Sequence, residues 1–238
     1  MTRFDLHIHS ALSACAENTL SPRRIVDRAC QAGITLLALT DHNASANVPP
    51  ALEAGRRHGV GVIPGIEVTT REEAHVLVLF DDLDTLTDWQ AVVDAALPAV
   101  PNRVEFFGPQ IVYDAADEIV GVDERLRQVG IEMGIDAITE AVHERGGVVI
   151  PAHVFRRRHS LTSQLGFIDP TAAYDAVEVT PREWRQQAHQ LGRLVSGFPV
   201  VAGSDSHFLE DVGHWWLEVV EDVTTARGLM SAIRRLAG

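Results

Sequence analysis

Two histidines one residue apart, in Phe4-Asp5-Leu6-His7-Ile8-His9-Ser10, constrain this chain more than any other feature. Apolar Phe4, Leu6 and Ile8 alternate there with polar Asp5, His7 and His9, the period-two pattern of a strand. Residues i and i+2 of a strand share a face, so both imidazoles are expected side by side, with Asp5 on the same face. Neutral imidazole is the commonest protein metal ligand, which makes a metal ion the natural occupant of that space. Taken alone, such a pair is also compatible with a purely structural role. Its weight comes from further His, Asp and Glu residues at the ends of later strand-like segments.

Those segments alternate with helices along most of the chain. Residues 3–9 read as a strand. Ser21-Pro22 opens a helix whose apolar face is Ile25, Val26, Ala29 and Cys30, and Gly33 ends it. Residues 34–40 form an apolar strand leading to Asp41-His42. A helix over 50–58 stops at Gly59. Strands follow at 60–68, with Glu67 near its end, and at 74–80, with His75 near its start. Residues 84 to about 145 break the rhythm with a helix over 84–100, a hairpin over 110–122, and a helical stretch over 123–146 interrupted near Gly134. This region reads as an insertion or elaborated crossover within one domain spanning 1–238. Strands then recur at 147–153, 176–179, 199–203 and 215–220, with a last helix over 224–236. Repeated strand–helix units favour a parallel α/β sheet or barrel.

His7, His9, His42, Glu67, His153, Asp205 and His207 all fall at or just past the C-terminal ends of these strands. In α/β barrels that rim carries the active site. Imidazoles and carboxylates without paired cysteines suit a catalytic Zn, Mn or Fe centre better than a closed structural zinc site. Neighbouring metals need a bridging group, and Glu67 is the candidate. Such a centre can hold hydroxide and clamp both oxygens of a phosphoryl displacement. The formal net charge of −13 opposes nucleic-acid backbones, which argues against a long nucleic-acid footprint and for a small anionic substrate. No apolar run reaches membrane-spanning length, no signal peptide is expected, and two cysteines make no disulfide framework, so no membrane partner and a cytoplasmic location are expected. Oligomeric state is not legible.

The ordered set His7-Ile8-His9-Ser10 with Ser13, Thr40-Asp41-His42-Asn43, Gly65-Ile66-Glu67, Pro151-Ala152-His153 and Ser204-Asp205-Ser206-His207 resembles the polymerase and histidinol phosphatase (PHP) family of metal-dependent phosphoesterases. The resemblance covers nearly the whole chain. It implies a distorted (β/α)7 barrel with two or three divalent ions (Zn, Mn or Fe) at the C-terminal ends of the strands. It assigns His7, His9, Glu67 and Asp205 to a first metal and Glu67, His75 and His153 to a second. His42 and His207 would hold a third, together with the residue at the Cys15 position. Several trinuclear members have histidine there. Cys15 therefore has two readings, a thiolate ligand or a small packed hydrophobe.

The resulting expectation is hydrolysis of a small phosphomonoester or short phosphodiester through a metal-bridging hydroxide. Glu67, Asp205 and His207 are the catalytic candidates, with Asp205 or His207 expected to relay a proton in that scheme. Arg156, the first of Arg156-Arg157-Arg158 just past His153, is the phosphate-binding candidate, because a guanidinium fork matches phosphate geometry. The alternatives are a metal-dependent hydrolase of a non-phosphate bond and a non-catalytic metal-binding regulatory module. Asp5 is expected to accept an imidazole N–H or to pair with Arg3. Asp41 is expected to cap the next helix or to support a ligand. His58, His143, His159, His189 and His214 read as surface or satisfied histidines, and Trp215-Trp216 as packing residues.

Overall fold

The computed structural model describes residues 1–187, 194, 195 and 197–237. β1 (Thr2–Ile8), β2 (Leu36–Leu39) and β3 (Gly61–Thr69) pair in parallel. The connections are α1 (Pro22–Gln31) and α2 (Val48–His58). Ser21 caps α1 by accepting from Arg24 N–H, Pro22 opens its first turn, and Gly59 ends α2 at φ 70°. The chain then reverses. β4 (His75–Leu79) lies antiparallel to β3, with His75 opposite Thr69, so no helix intervenes. No helix is expected between these strands from the sequence either, but the antiparallel direction departs from the parallel sheet that the sequence favours. It also brings the first residue of β4 to the end where β3 finishes.

α3 (Leu83–Ala96) is capped by Asp82, and the short α4 (Val104–Phe107) precedes a hairpin of β5 (Ile111–Tyr113) and β6 (Ile119–Val122). α5 (Ile135–Glu144) leads into β7 (Val148–Pro151), antiparallel to β4. The helix expected over 123–146 is therefore confined to its second half. Over 123–134 tertiary partners take the backbone instead. Gln110 donates to the carbonyls of Asp123 and Arg125, and Arg127 is held by Asp94, Asp123 and the Asn43 carbonyl. After α6 (Leu161–Gln164) come β8 (Val177–Val179), α7 (Pro181–Gln187), β9 (Val200–Ala202), β10 (Leu217–Val219) and α8 (Ala226–Ala237).

The main sheet runs β10-β1-β2-β3-β4-β7, with β10 antiparallel on its edge, and β8 pairs with β9. Backbone bonds join this pair to both sides of the curled sheet. Val154 N–H donates to Glu178 O and Asp175 N–H to Val149 O, while His9 N–H donates to Ser206 O. Inward residues Phe4, Leu6, Leu36, Ala38, Ile63, Leu77, Leu79, Val148, Ile150, Ala176 and Val201 form one buried cluster. Leu229, Met230 and Ile233 of α8 pack into it. The outward residues pack instead beneath α1, α2, α3 and α5.

β1 is not a simple alternating strand. Its register against β2 shifts between Asp5 and Ile8. Phe4 and Leu6 belong to the inner cluster, whereas Ile8 belongs to the outer one. One extra residue thus switches the side on which the strand presents its odd-numbered residues, the usual action of a β-bulge. His7 and His9 enter the inner space beyond Leu6, while Asp5 does not share their face as expected. Cys30 is a second departure. It is exposed, with Sγ 3.7 Å from the His58 carbonyl, because it turns toward the end of α2 while Ile25, Val26 and Ala29 are buried. Among the described residues no helix is long and apolar enough to cross a membrane.

Candidate metal centre

Glu67 lies four residues beyond Ile63 on the inner face of β3 and is fully buried. Five imidazoles surround its carboxylate. Oε1 is 3.2 Å from His7 Nε2, 3.0 Å from His75 Nδ1 and 3.4 Å from His153 Nε2. Oε2 is 2.9 Å from His42 Nδ1 and 3.4 Å from His9 Nε2. Asp205 Oδ1 stands 3.3 Å from His7 Nε2 and 3.1 Å from His9 Nε2, which are 3.2 Å apart. His207 Nε2 lies 3.1 Å from Cys15 Sγ. The β3–β4 reversal explains why His75 joins the others although it begins its strand. All nine expected ligands therefore meet in one region, Cys15 at its exposed rim.

These residues fit metal ions. Donors bound to one ion at about 2.0–2.1 Å stand roughly 2.8–3.4 Å apart for octahedral to tetrahedral angles. The separations around His7, His9, Glu67 and Asp205 match that spacing. Both Glu67 oxygens, His42 Nδ1, His75 Nδ1 and both nitrogens of His153 are buried without a well-directed hydrogen bond. Buried polar groups are normally satisfied, so this many together marks a place for cations. Donors also converge as His42, Glu67 and His75, and as His9, His42 and His207.

The electrostatics agree. Burial opposes charge on Glu67, yet the imidazoles of His75, His7 and His42 hold its carboxyl well below the ordinary value. Asp205 is lowered likewise, against burial, by His7 and His9. Burial disfavours charged His7 and His42, but carboxylates outweigh it. Glu178, Asp205 and Glu67 raise His7 well above its usual value, and Glu67 with Cys15 lifts His42 to about 10. Burial wins at His9 and at His75, which falls to about 4. Against its own desolvation, Cys15 is lowered to about 6 by His207 and His42. Without metal, protons on selected imidazoles supply the positive charge that the carboxylates demand.

A supporting layer fixes the rings. His7 Nδ1–H donates to Glu178 Oε2 at 2.9 Å, and the same oxygen accepts from His153 N–H at 3.0 Å. A Cβ on Gly203 would lie 2.2 Å from Glu178 Oε1 and 2.6 Å from His7 Cβ, so this packing requires glycine there. Ser13 Oγ donates to Asp41 and accepts from His9 Nδ1–H at 2.9 Å and from His42 N–H. Both tautomers direct Nε2 into the centre. Asp41 also accepts from Ser10 N–H and Oγ–H, so it supports the ligand strand and caps no helix. Sequence reasoning missed Glu178; its only signal was an acidic residue within the apolar run Ala176–Val179.

Asp5 takes neither expected partner. Its Oδ1 accepts from the backbone N–H of His7 and Ser204, while Arg3 pairs with Glu218. Burial raises Asp5 to about 6 despite those hydrogen bonds. Arg156 Nη2 is 2.6 Å from Asp205 Oδ2 and half exposed. His58 and His143 pair with Asp27 and Asp175, His214 is exposed, and His189 lies outside the described residues. Trp215 donates to the Ala202 carbonyl, and Trp216 lies under Arg3. A cavity of ≈ 340 Å³ opens over the centre, lined by His42, Glu67, His75, Arg156, Asp205 and His207 and also by His159. One wall is Gln128, Val129 and Gly130, where Ile131 N–H donates to Thr69 O.

The sequence matches the PHP domain over residues 5–94 and the PHP-associated family over residues 193–237. A 5'-3' exoribonuclease of Haemophilus influenzae is 26% identical over 250 residues, which cover 87% of this chain and 90% of that protein. A 3',5'-nucleoside bisphosphate phosphatase of Chromobacterium violaceum is 35% identical over 82 residues, 33% of this chain and 28% of that protein. The lesion-specific endonuclease PfuEndoQ from Pyrococcus furiosus shares the fold, with TM-score 0.68 and 18% identity over 100% of this chain and 56% of that one. The chain thus spans well under two thirds of the phosphatase and of the endonuclease. Two of these relatives are nucleases, which overturns the expectation that net charge argues against long nucleic acid. Net charge sums the whole surface, whereas a nuclease site depends on the field in its own cleft, where bound cations can be the largest local charges.

Proposed function

We propose, from the premise that this chain belongs to the PHP family of metal-dependent phosphoesterases, that it hydrolyses a phosphate ester of a nucleotide, either free as a small mono- or short diester or at the end of a nucleic-acid strand. The observation that carries this reading is the buried carboxylate of Glu67, ringed by five imidazoles beneath a cavity that also holds a guanidinium. His7, His9, Glu67 and Asp205 would hold a first ion and Glu67, His75 and His153 a second. His42, His207 and Cys15 form the proposed third set. Zn, Mn or Fe, when bound, supplies Lewis acidity and a lowered pKa for water.

The protein's own residues do the remaining work. Glu67 Oε1 faces His7, His75 and His153 and Oε2 faces His9 and His42, so one carboxylate touches members of every proposed set, which suits it to bridge. Asp205 links the cluster to the substrate side, with Oδ1 toward His7 and His9 and Oδ2 toward Arg156. The guanidinium has donors to spare for two phosphate oxygens. His207 Nδ1–H donates to the Asp205 carbonyl, which leaves Nε2 beside Cys15 for a ligand role. That tautomer favours Asp205 over His207 as the proton relay. The bonds that join β7 to β8 and β9 to β1 support a distorted (β/α)7 barrel as one domain, with the 84–145 segment elaborating it. Free Cys15 and Cys30 suit a reducing cytoplasm.

The test is a panel of nucleotide monoesters, dinucleotides and 5'-phosphorylated oligonucleotides, run after reconstitution with Zn, Mn or Fe. Phosphate or nucleotide release by the parent and none by Glu67→Gln is expected, since a neutral amide bridges two cations poorly. Activity of Glu67→Gln within a few-fold of the parent would remove Glu67 from the chemistry.

A further inference from the structure

His159 sits at the edge of the centre in a conformation that its sequence context does not call for. Its backbone lies at φ 56°, a left-handed region uncommon for residues other than glycine. Such strain persists only where the surroundings impose it, and it gathers at functional sites. Here the turn is fixed on both sides. His75 N–H donates to His159 O at 2.9 Å, and Ser160 Oγ–H donates to Arg156 O at 2.6 Å. The ring stacks on His75 with centroids 4.7 Å apart and planes within 9°. Nδ1–H donates to the Glu73 carbonyl at 3.2 Å, which fixes the tautomer. Nε2 remains as the ring's other polar atom, and no described group takes it. His159 lines the same cavity as Arg156, Asp205 and His207.

We propose that His159 is a substrate-contacting residue that binds the phosphate group together with Arg156, its Nε2 accepting from a phosphate P–OH while the guanidinium donates to the charged oxygens. This rests on the phosphoesterase reading above. The two side chains leave one short turn, residues 156–159, whose closing hydrogen bonds hold both at the cavity. A rigid turn that carries a guanidinium and an imidazole spares the ordering cost of two mobile side chains. The cavity volume falls at the lower end of small-ligand sites, where a few placed polar groups decide orientation. The competing role is a cover for His75, with no contact to substrate.

His159→Phe separates the two, because it keeps a ring on His75 and removes both nitrogens. His159→Gln is the companion, since its amide reaches about where Nε2 stands. Inorganic phosphate is titrated calorimetrically into the zinc-loaded parent and both variants, with metal content measured on the same samples. The expected result is at least tenfold weaker phosphate binding by His159→Phe, substantial recovery by His159→Gln, and unchanged metal content in both. Unchanged phosphate affinity in His159→Phe overturns the proposal, as does a loss that follows metal content. Absence of phosphate binding by the parent overturns the phosphoesterase reading and this proposal with it.

Discussion

Replacing Glu178 by glutamine removes one charge and almost no volume from the layer behind the metal centre. The glutamine carbonyl can still accept from His7 Nδ1–H and His153 N–H, the two donors that Oε2 holds at 2.9 and 3.0 Å. The loss is the charge assistance of those bonds, about 1–2 kcal/mol in a buried site. Carboxylates behind a ligating histidine typically carry about 10–100-fold in metal affinity, which agrees with that magnitude. Competition against a chromophoric chelator reads the affinity directly. The pH matters, because Glu178 also helps hold His7 protonated, and a metal must displace that proton. The deficit of Glu178→Gln should therefore be largest in alkaline buffer, where His7 is neutral in both proteins, and should shrink as pH falls. Affinity within about twofold of the parent in alkaline buffer, with an unchanged thermal midpoint for the metal-free protein, would refute the idea that Glu178 tunes His7.

Arg156→Ala should weaken inhibition by inorganic phosphate about 10-fold or more without loss of metal, the scale of one charge-assisted contact; an unchanged inhibition constant returns Arg156 to the solvated surface. If Cys15 is a ligand, iodoacetamide should label it after chelation and zinc should protect it, while Cys30, being exposed, labels in both states. Equal Cys15 labelling at proven different metal contents would exclude ligation. Asp5 gives a pH signature in the metal-free protein. Burial raises its carboxyl from 3.8 to about 6, so the folded chain binds a proton there that the unfolded chain has released. The stability it contributes is complete below 3.8 and is lost as pH rises through about 6. Asp5→Asn should flatten that part of the pH–stability curve, and chemical denaturation across the window checks it.

The residues that cluster around Glu67 were legible because metal chemistry favours few residue types, and strand ends punctuate the sequence clearly. Their partners were less so. Glu178 is one acidic residue among apolar ones, and only the β7–β8 contact reveals that it faces His7. The bulge in β1 leaves no mark in Phe4-Asp5-Leu6-His7, since alternation of residue types continues while the faces change over. Periodicity therefore placed the histidines together correctly and assigned Asp5 to the wrong side. Residues 123–134 carry a helix-like pattern, yet Arg127, Gln110 and Asp94 bind across the fold and override it. The β3–β4 reversal was hidden because strand direction is a property of pairing, not of the strand's own sequence.

The join between β1 and the Ser204–His207 segment sets when during synthesis the centre can exist. His9 meets Asp205 across 196 positions, and His9 N–H closes the backbone onto Ser206 O. At a translation rate of about 5–20 residues per second, Asp205 leaves the ribosome roughly 10–40 s after His7. By the end of that interval the nascent chain displays His7, His9, His42, Glu67, His75 and His153 without the Asp205 carboxylate. Metal captured then meets an open, incomplete shell. The full donor set can select an ion only once Asp205 and His207 have emerged.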